Sequence, residues 1–389
     1  MFHAASTITD AVVREWNALS SAAMVELRTW LLQYLVENQT VAKATREKLT
    51  RAAAIIFKRA ATEQEDTRAV LTAHLGQLFA GPPQQHFVAL SMIGAMVTEF
   101  GHSSHECTGM SWETHIATKK RFEDTILREL FVLVVQNVQR YAGAAGGADA
   151  RITLVLLDQG LGVCEQVLSW SFAEFQSERE AGTAAADSGG GGAASFAAAT
   201  FRGGPAWQAV LCESVPTFVQ LYQAMRLHES QAHKCQQCLI QLASTGRVFT
   251  DAAAKQRFLK TFIQSVVSLL DAVLAAWSAS TPAGHGPGAE LLGFSWVLGR
   301  LVGSFQMPAL LELGKPAVEA IFNKLMELTK KSLQLMSLGG DGDDGGADGE
   351  GATSEAVDKA FEVWHSMLVR VAGRQKNRRT HTHMRRTLP

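Results

Sequence analysis

Residues 21–37 read SAAMVELRTWLLQYLVE. Met24, Leu27, Leu31, Leu32 and Leu35 recur at the helical period and share one face, with Glu26, Arg28 and Gln33 turned away. A stripe of this kind specifies an amphipathic helix that must bury one side against a neighbour. Ser21 is placed to cap it and Asn38 to stop it. The same reading extends along the chain. Over 40–60, Ala44, Leu49, Ala52, Ala53, Ile56 and Phe57 form a stripe, and over 64–79 so do Val70, Leu71, Leu75 and Leu78, before Gly81-Pro82-Pro83 breaks the pattern. The segment 84–100 carries Val88, Met92, Ala95, Met96 and Phe100. A polar loop is expected over 101–118, followed by a helix through Phe122, Ile126, Leu130, Leu133, Val134 and Val138. Further helices are expected near 151–170, 206–227, 230–244, 251–278, 288–304, 315–336 and 354–372.

Most connections between these segments are short, so consecutive helices must run antiparallel. Taken in pairs they repeat at about 40 to 50 residues, the range of HEAT and armadillo units. The expected fold is therefore all-α, an α-solenoid of HEAT-like antiparallel helix pairs over residues 1–372, with a long concave surface. A compact bundle is the competing architecture, but so many helices exceed what one bundle core organises.

Composition agrees and narrows the function. Nine prolines and three tyrosines in 389 residues leave a chain dominated by helix formers. Thirty-six Lys and Arg against 37 Asp and Glu give no global positive field, which argues against a general nucleic-acid binder. Five cysteines, an odd number, imply no disulfide framework and point to a reducing compartment. No stretch reaches the ~18 uninterrupted apolar residues of a membrane span, and the N-terminus has no secretory pattern. A soluble, intracellular chain is expected.

Two segments interrupt the array. Residues 178–200 are rich in Ala and Gly, and residues 338–353 hold Asp341, Asp343, Asp344, Asp348 and Glu350 among glycines. Neither offers enough apolar surface to offset chain entropy, so both are expected to be flexible inserts. The end, 373–389, carries Arg374, Lys376, Arg378, Arg379, Arg385 and Arg386 with no acid. It is expected to be a basic disordered tail, with a localisation or RNA-contacting role as the alternative.

The sequence offers no motif from which a catalytic, cofactor-binding or metal site is expected. Cys235-Gln-Gln-Cys238 lacks a second ligand pair, since His228 and His233 are poorly placed, and on a helix both cysteines share the face of Leu242. His102, His105, Cys107 and His115 match no standard metal spacing and are expected in a polar surface loop. Gly160-Leu-Gly162 lies inside a helical apolar run and lacks the strand and third glycine of a dinucleotide loop. Glu63, Glu65 and Asp66 stand at a helix start, where the macrodipole accounts for them. Trp16, Trp30, Trp170, Trp277, Trp296 and Trp364 are assigned to packing between helices, with Trp16 expected between the first helix and that of 24–35. The chain is expected not to be an enzyme.

Particular stretches resemble a family. FHAASTITDAVVREW (2–16), LRTWLLQYLVEN (27–38), AAAIIFKRA (52–60), MVTEF (96–100), SWETH (111–115), RFEDTILRELFVLVVQNVQ (121–139), QVLSWSF (166–172), CLIQLAS (238–244) and FEVWHSML (361–368) are similar, in this order, to the exportin-4 family of the importin-β superfamily. The resemblance implies a HEAT-repeat nuclear export receptor that carries protein cargo with Ran-GTP through the nuclear pore, shuttling between nucleus and cytoplasm. Its implied partners are Ran-GTP, pore proteins and a protein cargo such as the hypusine-containing translation factor, without nucleic acid or membrane insertion. It implies no cofactor, and leaves the residues contacting Ran or cargo unknown. The family's first helices would lie before Met1 and most of its C-terminal length beyond residue 389. The chain is thus expected to be a fragment that binds Ran-GTP weakly and exposes the apolar face of its first helix at Ala5, Ile8, Ala11 and Val12. A generic HEAT-repeat scaffold without transport activity is the alternative.

Overall fold

A computed structural model of the chain describes residues 2–38, 41–63, 67–101, 110–147, 149–172, 205–279, 287–305, 307–339 and 352–367. Among them every regular element is a helix, so the chain is all-α. They fall in two compact units, residues 1–199 and 200–389.

The first unit holds α1 (Phe2–Arg14), α2 (Ser21–Glu37), α3 (Lys43–Glu63), α4 (Thr67–Ala80), α5 (Pro83–Gly101), α6 (Trp112–Phe122), α7 (Arg128–Ala144) and α8 (Ala150–Leu168). Consecutive helices pair, α2 with α3, α4 with α5 and α7 with α8. Within the unit, α1, α3, α5 and α8 then pack each against the next. This neighbour-on-neighbour stacking is the HEAT-like arrangement expected from the short connections. It also explains why α3 is buried on every side from Ala52 to Ala61, whereas α2 buries one face.

The second unit repeats the scheme with α9 (Pro205–Met225), α10 (Glu229–Ala243), α11 (Ala252–Ala279), α12 (Pro287–Ser304), α13 (Met307–Glu312), α14 (Lys315–Gly339) and α15 (352–367). Helix α9 pairs with α10, then α9 packs on α11, α10 on α12, and α14 on both α11 and α12. Helix α15 joins α14 through Trp364 Nε1, which donates to Thr329 Oγ1 at 3.1 Å, and joins α12 through Lys359, whose ammonium lies 3.5 Å from the Trp296 ring centroid. Gly314, at φ 93°, supplies the left-handed residue that turns α13 into α14. Helix α11 is long and apolar enough to cross a membrane by length and composition. Its Phe258, Leu259, Phe262, Val266, Leu269 and Leu270 are nonetheless buried in the protein core.

Several expectations need correction. The cap of α2 is Ser20, whose Oγ accepts the Ala23 amide at 3.2 Å, not Ser21. The loop expected over 101–118 is helical from Trp112, because Ser111 Oγ accepts the Thr114 amide and starts α6. The short helix α13 went unrecognised. The 338–353 insert loses both ends, since α14 runs through Gly339 and α15 begins at 352. The rest of that insert, residues 178–200 and the tail 373–389 lie outside the described residues. Ala5 and Val12 of α1 are not exposed; they are buried with Thr9, whose hydroxyl reaches the Lys48 carbonyl of α3.

Helix α6 continues into α7 through a π turn, Glu123–Leu127. The buried positions explain it. Thr118 and Lys119, Phe122 and Glu123, Ile126 and Leu127, and Leu130 and Phe131 face inward every fourth residue. An α-helix would rotate this row by ~40° at each step, and one wider turn restores it to the core.

Candidate interaction surface

Among the described residues no three His, Cys, Asp or Glu side chains gather as metal ligands. Cys235 and Cys238 are fully buried on α10 beside Leu242, as the helical spacing implied, and burial pushes the Cys235 thiol up, away from reactivity. His228 precedes α10 and His233 is exposed on it. His102, His105 and Cys107 lie outside the described residues, as do Glu65 and Asp66. His115 is not in a surface loop; it is fully buried on α6 and stacks on Trp112 at 5.5 Å. Gly160 is buried on α8, where a Cβ would sit 2.6 Å from Val138 Cγ2, so its role is close packing of α7 on α8.

The tryptophans divide. Trp170 is buried, donating through Nε1 to Glu123 at 2.8 Å, with its ring tilted against Phe122 at 5.8 Å. Trp16 is half-buried in a short 3-10 turn, and its ring faces Arg59 of α3 at 5.2 Å. Trp30 is 49 % exposed, stacked only on Tyr34 one turn later on α2. The assignment of Trp30 to helix packing is therefore corrected: on this helix the buried face is carried by leucines, and the indole lies on the opposite side.

What the surface offers is apolar helix faces. On α14, Phe322, Met326, Leu333 and Met336 are exposed along one side, flanking the buried row of Ile321, Leu325 and Leu328. Phe361 of α15 is 52 % exposed, and Phe322 meets Trp364 edge-on at 4.4 Å. In the first unit a cleft of about 230 Å³ has an apolar floor of Met96, Phe100, Phe122 and Ile126, with Arg68 and Arg121 at its sides. Both arginines are engaged: Arg68 holds Glu129, and Arg121 donates to the Ala61 carbonyl at 2.9 Å.

Beneath these faces, buried polar groups join the helix pairs. Lys58 of α3 donates to the Glu99 carbonyl of α5 at 2.6 Å and lies 3.6 Å from its carboxylate, which Arg51 also approaches. In the second unit Glu290 of α12 accepts from Tyr222 and, in bidentate fashion, from Arg226 Nε and Nη2 of α9 at 2.7 and 2.8 Å. Gln236 of α10 donates to the Glu290 carbonyl at 3.2 Å. Sequence reasoning passed over these residues because a single charge in an amphipathic segment reads as solvent-facing.

Stacked helix pairs of this kind occur in repeat proteins of many roles, and comparison with known proteins supplies the family. A family model for exportin-4 matches residues 1–385. An exportin-4 of Dictyostelium discoideum is 24% identical over 192 residues, covering 44% of this chain and 17% of that protein. The chain thus spans a minor part of the length of that relative. With the family model matching almost end to end, the chain belongs to the exportin-4 family.

Proposed function

We propose that this chain is part of a nuclear transport receptor of the export type, carrying protein cargo through the nuclear pore with Ran-GTP and releasing it when the GTP is hydrolysed. The carrying observation is the family match over residues 1–385. The fold supports it physically. In each unit a helix pair touches mainly its neighbours, so small changes at successive interfaces add up to a change in curvature that cargo and GTPase both sense. The role is binding rather than catalysis, and its partners are Ran-GTP, pore proteins and a cargo for which the hypusine-containing translation factor is the first to test. The working compartments are nucleus and cytoplasm, in alternation.

The test is association with Ran loaded with GTP or GDP, measured for this chain and for a longer form that contains it. Binding that strongly prefers the GTP state, and that strengthens cargo binding reciprocally, is expected. Equal affinity for the two nucleotide states in the longer form would return the chain to the generic scaffold reading.

A further inference from the structure

Where α4 turns into α5, one contact between side chains can be made in a single protonation state. His86, in the first turn of α5, is 8 % exposed. Its ring is tilted against Phe79 of α4 and Tyr141 of α7, with centroids 5.9 Å from each. Its Nδ1 lies 3.3 Å from Nη2 of Arg140, an exposed residue of α7. A guanidinium is a donor only and stays charged in proteins. Nδ1 must therefore be the acceptor, which fixes the imidazole as neutral with its proton on Nε2. A second proton would go onto Nδ1, set a donor against a donor and bring two positive charges together.

We propose that His86 and Arg140 form an acid-released clip between α5 and α7, closed while the imidazole is neutral and opened by its protonation. Each element around the ring bears on this. On α7, the Arg140 charge opposes a proton on the ring, and the Tyr141 phenol, raised by burial, stays uncharged through the acid range. On α5, the positive end of the helix dipole also disfavours a cation in the first turn. At the end of α4, the Phe79 and Gly81 carbonyls favour the proton, but burial and then Arg140 outweigh them. The bond ties helices that are not consecutive in the chain, where no short connection holds them together. Arg140 is exposed and turns to water readily once its acceptor is gone. The opening is local, confined to the α4–α5 turn and the end of α7, and precedes unfolding of the unit. The inference stands independently of the export reading.

The test uses the full chain from neutral to acid pH. Two signals are read, the titration of the His86 ring by NMR and the hydrogen exchange of backbone amides, corrected for the pH dependence of the intrinsic rate. In the wild type the His86 midpoint lies below the ~6.5 of a free imidazole. Arg140→Met, a change at an exposed side chain, moves it up toward that value. Below pH ~6.5 the opened form takes the proton first, so exchange over residues 83–90 and 138–144 quickens by up to about tenfold per pH unit. Exchange in α9, which carries no histidine, does not follow. His86→Asn keeps an acceptor near the Nδ1 position and takes up no proton, so exchange over the same residues becomes independent of pH. An unmoved midpoint in Arg140→Met overturns the proposal. Acid-quickened exchange that persists in His86→Asn, or that appears equally in α9, overturns it too. Should His86→Asn fail to fold, the ring titrations of the wild type and Arg140→Met decide alone.

Discussion

Removing the Glu290 carboxylate is the sharpest probe of how the second unit is held together. Glu290 is 2 % exposed and binds Tyr222, both donor nitrogens of Arg226, and Gln236 through its carbonyl, so it ties α12 to α9 and α10 at once. Breaking a buried ion pair by deleting one partner costs about 3–5 kcal/mol, because the other charge is left without compensation. The Arg226 side chain is 21% exposed and can recover part of its hydration, which places Glu290→Ala at the low end, about 3 kcal/mol. For a cooperative unit of this size that is a fall of roughly 6–12 °C in melting midpoint. Glu290→Gln keeps the shape and an acceptor, and should cost about 1.5 kcal/mol, the lower end for a bond to a charged group. The assay is urea denaturation of the full chain, with Arg226→Met and the double variant completing a cycle. Arg226→Met with Glu290→Ala should lose less than the sum of the singles, since the orphaned charge is gone. A Glu290→Ala effect within about 0.5 kcal/mol, the range of ordinary surface changes, or strict additivity in the cycle, would refute the reasoning.

Four further outcomes are expected. Gly160→Ala should destabilise by about 1–3 kcal/mol, because its Cβ would meet the fully buried, β-branched Val138 at 2.6 Å; Gly76→Ala on α4, with nothing within 4 Å, should stabilise by up to about 1 kcal/mol. Thermal melts of the two variants should therefore move in opposite directions. Trp170→Ala should cost about 3–5 kcal/mol and Trp30→Ala less than about 0.5 kcal/mol, and an equal loss from both would show that Trp30 is packed. On the acid side, burial and then the Arg140 charge hold His86 below its ordinary value. The unfolded chain therefore binds more protons than the folded one as pH falls through about 6.5; stability should drop there, and His86→Gln should flatten the drop in a pH series of urea midpoints. On the alkaline side, burial and Glu290 raise the Tyr222 phenol, so the unfolded chain loses that proton first. Stability should fall as pH rises beyond about 10, and Tyr222→Phe should remove about 1.4 kcal/mol per pH unit from that slope.

The helices were legible because each carries an apolar row at the helical period, and their ends moved by only a few residues. The rows on α2, α4 and α5 place Leu31, Leu71, Met92 and Phe100 in the core as read. Failures occur where a helix is touched on more than one side, so that binary patterning has no solvent face to find. Arg28 was placed outward because it is charged, yet it is 3 % exposed, with its Cζ 4.4 Å from the Phe57 ring of α3. Helix α6 was read as a loop because its inward row contains His115, Thr118 and Lys119, all buried. Trp30 failed in the other direction, an apolar residue on the outward face. The site was less legible than the fold for the same reason. A helical array has no convergent motif to read, and its informative residues are exceptions to patterning that appear only once the neighbours are in place.

Those exceptions have a common position. Lys58 with Glu99 links α3 to α5, Arg226 with Glu290 links α9 to α12, and Lys324, 2.5 Å from Asp271, links α14 to α11. Each joins helices that are not consecutive in the chain. Within a pair a short connection already sets the register, and apolar contact suffices. Between pairs the chain imposes little, and methyl-on-methyl packing tolerates sliding along the helix axis, whereas a bidentate carboxylate does not. Burial supplies the stability of the stack, and the polar joints select one register from several of similar apolar area. For the receptor proposed above, which would bend around a partner, the places where curvature changes are then the interfaces between pairs. Substitution at these joints should alter partner affinity as well as melting behaviour, while a cavity inside a pair, such as that left by Val138→Ala of α7 against Gly160 of α8, should alter melting alone.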